Sequence, residues 1–161
     1  QAIATIDTWR FDPAAPSPWL SENLFRTNNR PFEKAGNGNG GFAWLSRDEQ
    51  EVMRYREDPL CGAILNAAGL KGMFDGLKKS TQKANIDCIN KQIPILIISG
   101  EKDPVHNSGT GIRVLAKRYR QTGLKVTSKI YPGGRHEMFN EINREEVYKD
   151  LLQWLSEIGY D

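Results

Sequence analysis

The chain has 161 residues, enough for one domain, with 26% charged and 39% hydrophobic residues and a formal net charge of +2. That is an ordinary globular balance, and so mild a basic excess gives no argument for nucleic-acid binding. No apolar run reaches the roughly 18 residues of a membrane-spanning helix, and Cys61 and Cys88 form no CxxC pair and suggest no disulfide framework.

The first residues, QAIATIDTWRFDP, lack a basic segment followed by a long apolar one, so they are not expected to act as a signal peptide. With no initiator Met they read as a segment of something longer, and a reduced, cytoplasmic setting is expected. Residues 1–90 combine Pro13, Pro16, Pro18 and Pro31 with the run GNGNGG (36–41) and scattered aromatics such as Trp9, Phe25, Phe42 and Trp44. This texture predicts irregular loops and short helices. Within it, SRDE offers a capping box, Ser46 with Glu49, opening a helix that stops before Asp58-Pro59. A second helix is expected from Gly62 to about Lys79, weakened by Gly69, Gly72 and Gly76.

Residues 91–161 are more regular. Ile93–Ile98 is an unbroken apolar run closed by Ser99-Gly100, the pattern of a parallel strand buried on both faces. Gly111–Gln121 predicts a helix with Ile112, Leu115, Ala116 and Tyr119 on one face and Gly123 as its stop. Lys125–Tyr131 alternates as a second strand. A last helix should begin at Asn143, with Glu146 in the capping-box position, and carry Val147, Leu151, Trp154, Leu155 and Ile158 inward. Strand, helix, strand, helix is a βαβα unit, with parallel strands and a right-handed crossover expected. Two strands do not close a core, so more sheet is expected beside them; the exposed edge next to ILII (95–98) is a candidate for self-association.

In open α/β sheets, working residues gather at the carboxyl ends of strands. GEKDPVH places Asp103 just past the first strand, and YPGGRHE places His136 just past the second. A carboxylate that accepts the imidazole Nδ1–H fixes its tautomer and leaves the other nitrogen as a general base. The alternative is a turn Asp and a surface His. His106, three residues after Asp103, either lines the site or is a surface loop histidine, the second being favoured. Arg135 is expected in a structural salt bridge, and Glu141 as an acceptor for loop amides.

The stretches PILIISGEKDPV, IYPGGRHEMFNE and LLQWLSEI resemble the C-terminal third of an α/β-hydrolase. The group they resemble is the lysophospholipase and monoglyceride-lipase-like one, the serine aminopeptidase S33 type. NRPFE, FAWLSRDEQEV and YREDPLCG resemble its lid, so the likeness covers nearly the whole chain. It implies an incomplete α/β-hydrolase fold: parallel strands with flanking helices over 91–161 and a mainly helical cap over 1–90. It also implies that Asp103 and His136 are the acid and base of a Ser-His-Asp triad acting on lipid-like carboxylic esters, with no cofactor or metal. Phe42, Trp44, Leu70 and Phe74 would be cap core, a few of them lining an acyl pocket.

The departure is the nucleophile. In this fold a Ser in a G-x-S-x-G elbow precedes the acid. None of the eight serines has glycine at both −2 and +2, and neither cysteine does. The Ser and the oxyanion glycines are therefore expected upstream, and this chain alone is expected to be inactive. A peptidase of the same fold, or a non-catalytic module binding through its sheet edge, are the alternatives. Glu101 with Asp103 makes a poor carboxylate pair for glycoside or metal chemistry, lacking a ligand cluster. GNGNGG lacks the strand, helix and Lys-Ser/Thr of a phosphate loop. The basic run Lys117–Arg120 reads as a solvated helix face.

Overall fold

The computed structural model describes residues 18–33, 39–62 and 64–160. The readings made on the N-terminal segment, and on GNGNGG before Asn39, lie outside the described residues. Where the prolines suggested irregular chain, a 16-residue helix, α1 (Pro18–Glu33), runs instead. Pro18 sits where a helix tolerates proline, in the first turn, whose N–H groups have no intrahelical partner. Pro31 lies inside the helix and gives up the bond to the Thr27 carbonyl, and the helix ends two residues later.

The next helix, α2 (Glu49–Glu57), ends at Asp58 ahead of Pro59, as the sequence predicts, but its cap differs. Asp48 is the N-cap, its carboxylate accepting the Gln50 and Glu51 N–H groups at 3.0 and 3.4 Å. Ser46 is used elsewhere: its hydroxyl donates to the Asn140 carbonyl at 2.7 Å and accepts the Asp48 N–H. A long-range partner outcompetes the local box. Helix α3 (Ala67–Ser80) starts five residues later than expected, where Asn66 caps the Gly69 N–H at 2.6 Å. A short α4 (Lys83–Asp87), not anticipated, buries Ile86.

Strands β1 (Ile95–Gly100) and β2 (Val126–Tyr131) pair in parallel, from Ile95 opposite Val126 to Gly100 opposite Tyr131. The ladder starts only after Pro94, which has no N–H to give, and its first bond runs from Ile95 N–H to the Lys125 carbonyl at 2.9 Å. It continues through Ser99 and Gly100 rather than closing there. Ile95–Ile98 are half-buried, not buried on both faces, because among the described residues the sheet has two strands and each keeps an open edge.

Helix α5 (Thr110–Gln121) joins the strands, burying Ala116 and half-burying Ile112, Leu115 and Tyr119. Gly123 follows it at φ 84°, a left-handed stop that glycine adopts without penalty. The closing helix, α6 (Arg144–Glu157), packs on β2. Fully buried Val147 meets Tyr131 and Met138, with Ile98 against them. Burying an aliphatic side chain of this size stabilises by about 1.5–3 kcal/mol. The Tyr131 hydroxyl donates to Asp150 at 2.8 Å, and Lys129 pairs with the same carboxylate. The expected Asn143–Glu146 box does not form: the two side chains bond each other at 2.9 Å, and Asn143 makes no cap bond.

At the carboxyl end of the sheet, Gly100 lies directly beneath the backbone of Gly134 and Arg135. A Cβ there would collide with both residues' main-chain atoms, and one on Gly134 would meet the Met138 sulfur at 2.7 Å. The atoms that a Cβ on Gly100 would meet are all main-chain atoms, which cannot swing aside as a side chain would. Gly100→Ala should therefore cost about 1–3 kcal/mol through overpacking, read as a lowered urea midpoint with unchanged slope. Gly123→Ala, strained but unobstructed, should cost no more than about 1–2 kcal/mol.

Candidate active site

The register brings the two loops together. Because Gly100 faces Tyr131, both chains leave the sheet at one level. They are laced at once: Glu101 N–H donates to the Tyr131 carbonyl at 2.9 Å, and Lys102 N–H to Gly134 at 2.8 Å. The Glu101 carboxylate accepts the Gly133 N–H at 3.0 Å. Gly133, at φ 69°, makes the turn that sends the chain toward His136.

Asp103 and His136, the pair singled out by the sequence, meet here. His136 Nδ1 lies 2.8 Å from Asp103 Oδ2. Asp103 is buried, while the His136 side chain is 37% exposed. The other carboxylate oxygen, Oδ1, accepts the Val105 N–H at 2.8 Å. Burial opposes the charge on Asp103. The His136 hydrogen bond, the Val105 N–H and the charge that both imidazoles can carry outweigh it, and the carboxyl is held below its usual range. An ionised Asp103 accepts the hydrogen bond of a proton that stays on His136 Nδ1, which leaves Nε2 as an acceptor. Chemically this is a general base at a partly open strand end.

His106 is not a surface histidine. Its side chain is 17% exposed, and Nε2 lies 2.7 Å from Asp103 Oδ2. Nε2 also touches the Ser99 hydroxyl, and Nδ1 accepts the Gly109 N–H at 3.2 Å. The sequence signal was its spacing from Asp103. The turn that follows has no such signal: Asn107, Ser108 and Gly109 are successively left-handed, at φ 54°, 52° and 81°. Ser108 costs about 1–2 kcal/mol there, and Asn107 less, because asparagine tolerates this region.

Residues 43–48 clamp the His136 loop from the other side. Trp44 and Leu45 carbonyls accept the His136 and Glu137 N–H groups at 3.3 and 2.8 Å. The Trp44 ring lies 4.9 Å from the imidazole, centroid to centroid, tilted by 44°. Behind it the rings of Phe25, Phe42 and Tyr55 follow in contact. The Trp44 contact with His136 was not legible in the sequence, where Trp44 was one of many cap aromatics.

Among the described residues Arg135 makes no salt bridge, contrary to expectation. Its guanidinium donates to the Ala43 and Ser46 carbonyls at 2.5 and 2.9 Å and lies over the Phe32 ring. Arg47 is the ion-pair partner of Glu141, at 2.8 Å. Fully buried Glu141 also accepts the N–H groups of Arg47, Arg135 and Ile142 at 3.2, 2.8 and 3.1 Å. It satisfies loop amides as the sequence suggested, on both sides of the junction. The basic run on α5 serves structure in part: Arg118 donates to the Thr81 carbonyl and Arg120 to Val126. Among the described residues no helix is long and apolar enough to cross a membrane.

Comparison with known proteins gives the family and fold. Residues 8–143 match the family described as serine aminopeptidase, S33. The chain is 31% identical over 114 residues to a monoacylglycerol lipase of Mycolicibacterium smegmatis, covering 69% of this chain and 38% of that one. Among solved structures, a lipase in its open form superposes with a TM-score of 0.79 at 25% identity, over 98% of this chain and 50% of that chain. A highly thermostable carboxyl esterase from Bacillus coagulans, in complex with glycerol, superposes with a TM-score of 0.78, at the same identity and coverage. The chain thus spans half the length of these solved relatives and less of the curated one.

The lowered pKa of Asp103 sets a pH test. An unfolded Asp titrates near 3.9, so the unfolded state binds the proton first as pH falls. The stability from ionised Asp103 is complete above about pH 4 and disappears as pH drops through the native value. Urea midpoints measured from pH 6 downward should fall more steeply below about pH 4 in the native sequence than in Asp103→Asn.

Proposed function

Because the chain belongs to the serine aminopeptidase S33 family of α/β-hydrolases, we propose that it carries the acid and base of a serine hydrolase acting on carboxylic esters. The observation that supports this most directly is the 2.8 Å contact between buried Asp103 and half-open His136. On this reading residues 1–90 are the cap and 91–161 the last part of the hydrolase core. The nucleophilic Ser belongs to sequence outside these 161 residues, since no serine or cysteine here has the glycine-flanked elbow.

The chemistry then follows from positions. His136 Nε2 takes the proton from the Ser hydroxyl as the oxygen attacks the ester carbonyl. Asp103 keeps Nδ1 protonated and stabilises the imidazolium. The same proton passes to the departing alcohol, and a water, activated again by His136, releases the acid. Backbone N–H groups outside this chain hold the oxyanion. No cofactor enters the scheme. Lipid-like esters, monoacylglycerols or lysophospholipids, are the substrate class, supported by the relative named monoacylglycerol lipase and by the aromatic wall of Phe25, Phe42 and Trp44 beside the base. The family description supports a second reading, a peptidase acting on N-terminal residues through the same pair. A cytoplasmic setting, and self-association through the open sheet edge, complete the proposal.

In a polypeptide joining this sequence to the nucleophile-bearing half of the fold, His136→Ala and Asp103→Asn should each lower kcat on a monoacylglycerol by about 10⁴-fold. Hydrolysis of aminoacyl amides with no action on acyl esters would select the peptidase. The 161-residue chain alone should give no ester turnover. Turnover by it that His136→Ala abolishes would overturn the placement of the nucleophile.

A further inference from the structure

We propose that His106 is a positioning residue for Asp103: a second imidazole, on the same carboxylate oxygen that His136 uses, that locks the acid in its working orientation. The proposal rests on the reading of Asp103 and His136 as acid and base. Its geometry stands apart from that reading.

The carboxylate has little freedom left. Oδ1 is held by the Val105 N–H at 2.8 Å. Oδ2 lies between two rings, 2.8 Å from His136 Nδ1 and 2.7 Å from His106 Nε2. The tautomer of His106 is set by its far side. Nδ1 accepts the Gly109 N–H at 3.2 Å, so in the neutral ring the proton sits on Nε2, facing Asp103 and the Ser99 hydroxyl. His136 needs the opposite tautomer, with its proton on Nδ1. One carboxylate oxygen therefore receives two imidazoles presented by different nitrogens.

The surroundings are built around this ring. Gly109 N–H reaches Nδ1 at the end of a turn in which Asn107 and Ser108 both enter the left-handed region, one that asparagine tolerates and serine avoids. Gly111 leaves space beside it: a Cβ there would lie 3.0 Å from the His106 Cβ, and its N–H donates to the His106 carbonyl at 2.9 Å. Ser99, at the end of β1, is buried and touches Nε2. Strain, a cleared contact and a buried hydroxyl converge on a side chain whose ring faces the Asp103 carboxylate. Its action runs through Asp103 to His136. A Leu in its place would fill the volume and release Oδ2 on one side.

The chain has two histidines, so long-range ¹H–¹⁵N spectra of the ¹⁵N-histidine-labelled 161-residue chain resolve both rings. The expected result is one Nε2–H ring, His106, and one Nδ1–H ring, His136, assigned by single substitution. In His106→Leu the His136 ring should lose its single tautomer and become a mixture. His106→Gln, which restores an N–H donor toward Asp103, should recover it. In the nucleophile-bearing polypeptide, His106→Leu should lower kcat roughly 10- to 100-fold with KM little changed, and His106→Gln should recover most of it. A His106 ring with its proton on Nδ1 overturns the proposal, as does a His106→Leu chain whose His136 stays purely Nδ1–H. Should His106→Leu fail to fold, the native tautomers and His106→Gln still decide. Absence of ester hydrolysis by the unsubstituted polypeptide would sink the hydrolase reading and leave the tautomer result standing.

Discussion

The buried carboxylate of Glu141 is the interaction on which the rest of the site depends. It accepts four N–H groups: the main-chain amides of Arg47, Arg135 and Ile142 and the Arg47 side chain. Two of these belong to the segment before α2 and two to the loop that carries His136. A buried charge is tolerated only when every oxygen is paired, and leaving one unpaired costs several kcal/mol. The carboxylate therefore sets the distance between the two segments. Arg135, donating from the loop to the Ala43 and Ser46 carbonyls, and Ser46, donating back to Asn140, close the same seam from either side.

The second constraint is steric. Gly100 and Gly134 let β1 and the His136 loop approach closer than any side chain would allow. With Lys102 N–H bonded to the Gly134 carbonyl, this brings Asp103 to His136 without long side chains having to reach. Short reach matters because an imidazole on a loop whose main chain is bonded on both sides loses little further freedom when it works. Trp44 completes the enclosure, its ring on one side of the imidazole and its carbonyl on the His136 N–H.

Much of this was legible in the residues, and the exceptions share a cause. The βαβα order, both strands to within two residues, α5, α6 and the Asp103 and His136 positions all follow from local pattern: apolar runs, capping residues, Gly stops. What the pattern hid is decided at long range. Ser46 looks like a helix cap, yet it is recruited by Asn140, and Asp48 takes its place. Arg135 looks like half of a salt bridge, yet Arg47 occupies Glu141 first. His106 looks like a loop histidine because nothing in GEKDPVHNSG announces three left-handed residues in a row. Helix α1 was hidden for a local reason: prolines at its two ends resemble prolines that break a helix.

The seam between residues 43–47 and 134–143 also has a temporal meaning. Its side-chain bonds join residues separated by 89 to 96 positions in the chain, whereas β1 and β2 pair across about a third of that distance. Loop-closure entropy must be met before such distant contacts return any stability. While the seam is open, the loop bearing His136 is held on its β1 side alone, through Glu101, Lys102 and Asp103. The bonds from residues 43–47 are thus the ones with the most closure entropy to meet before they return stability to the base.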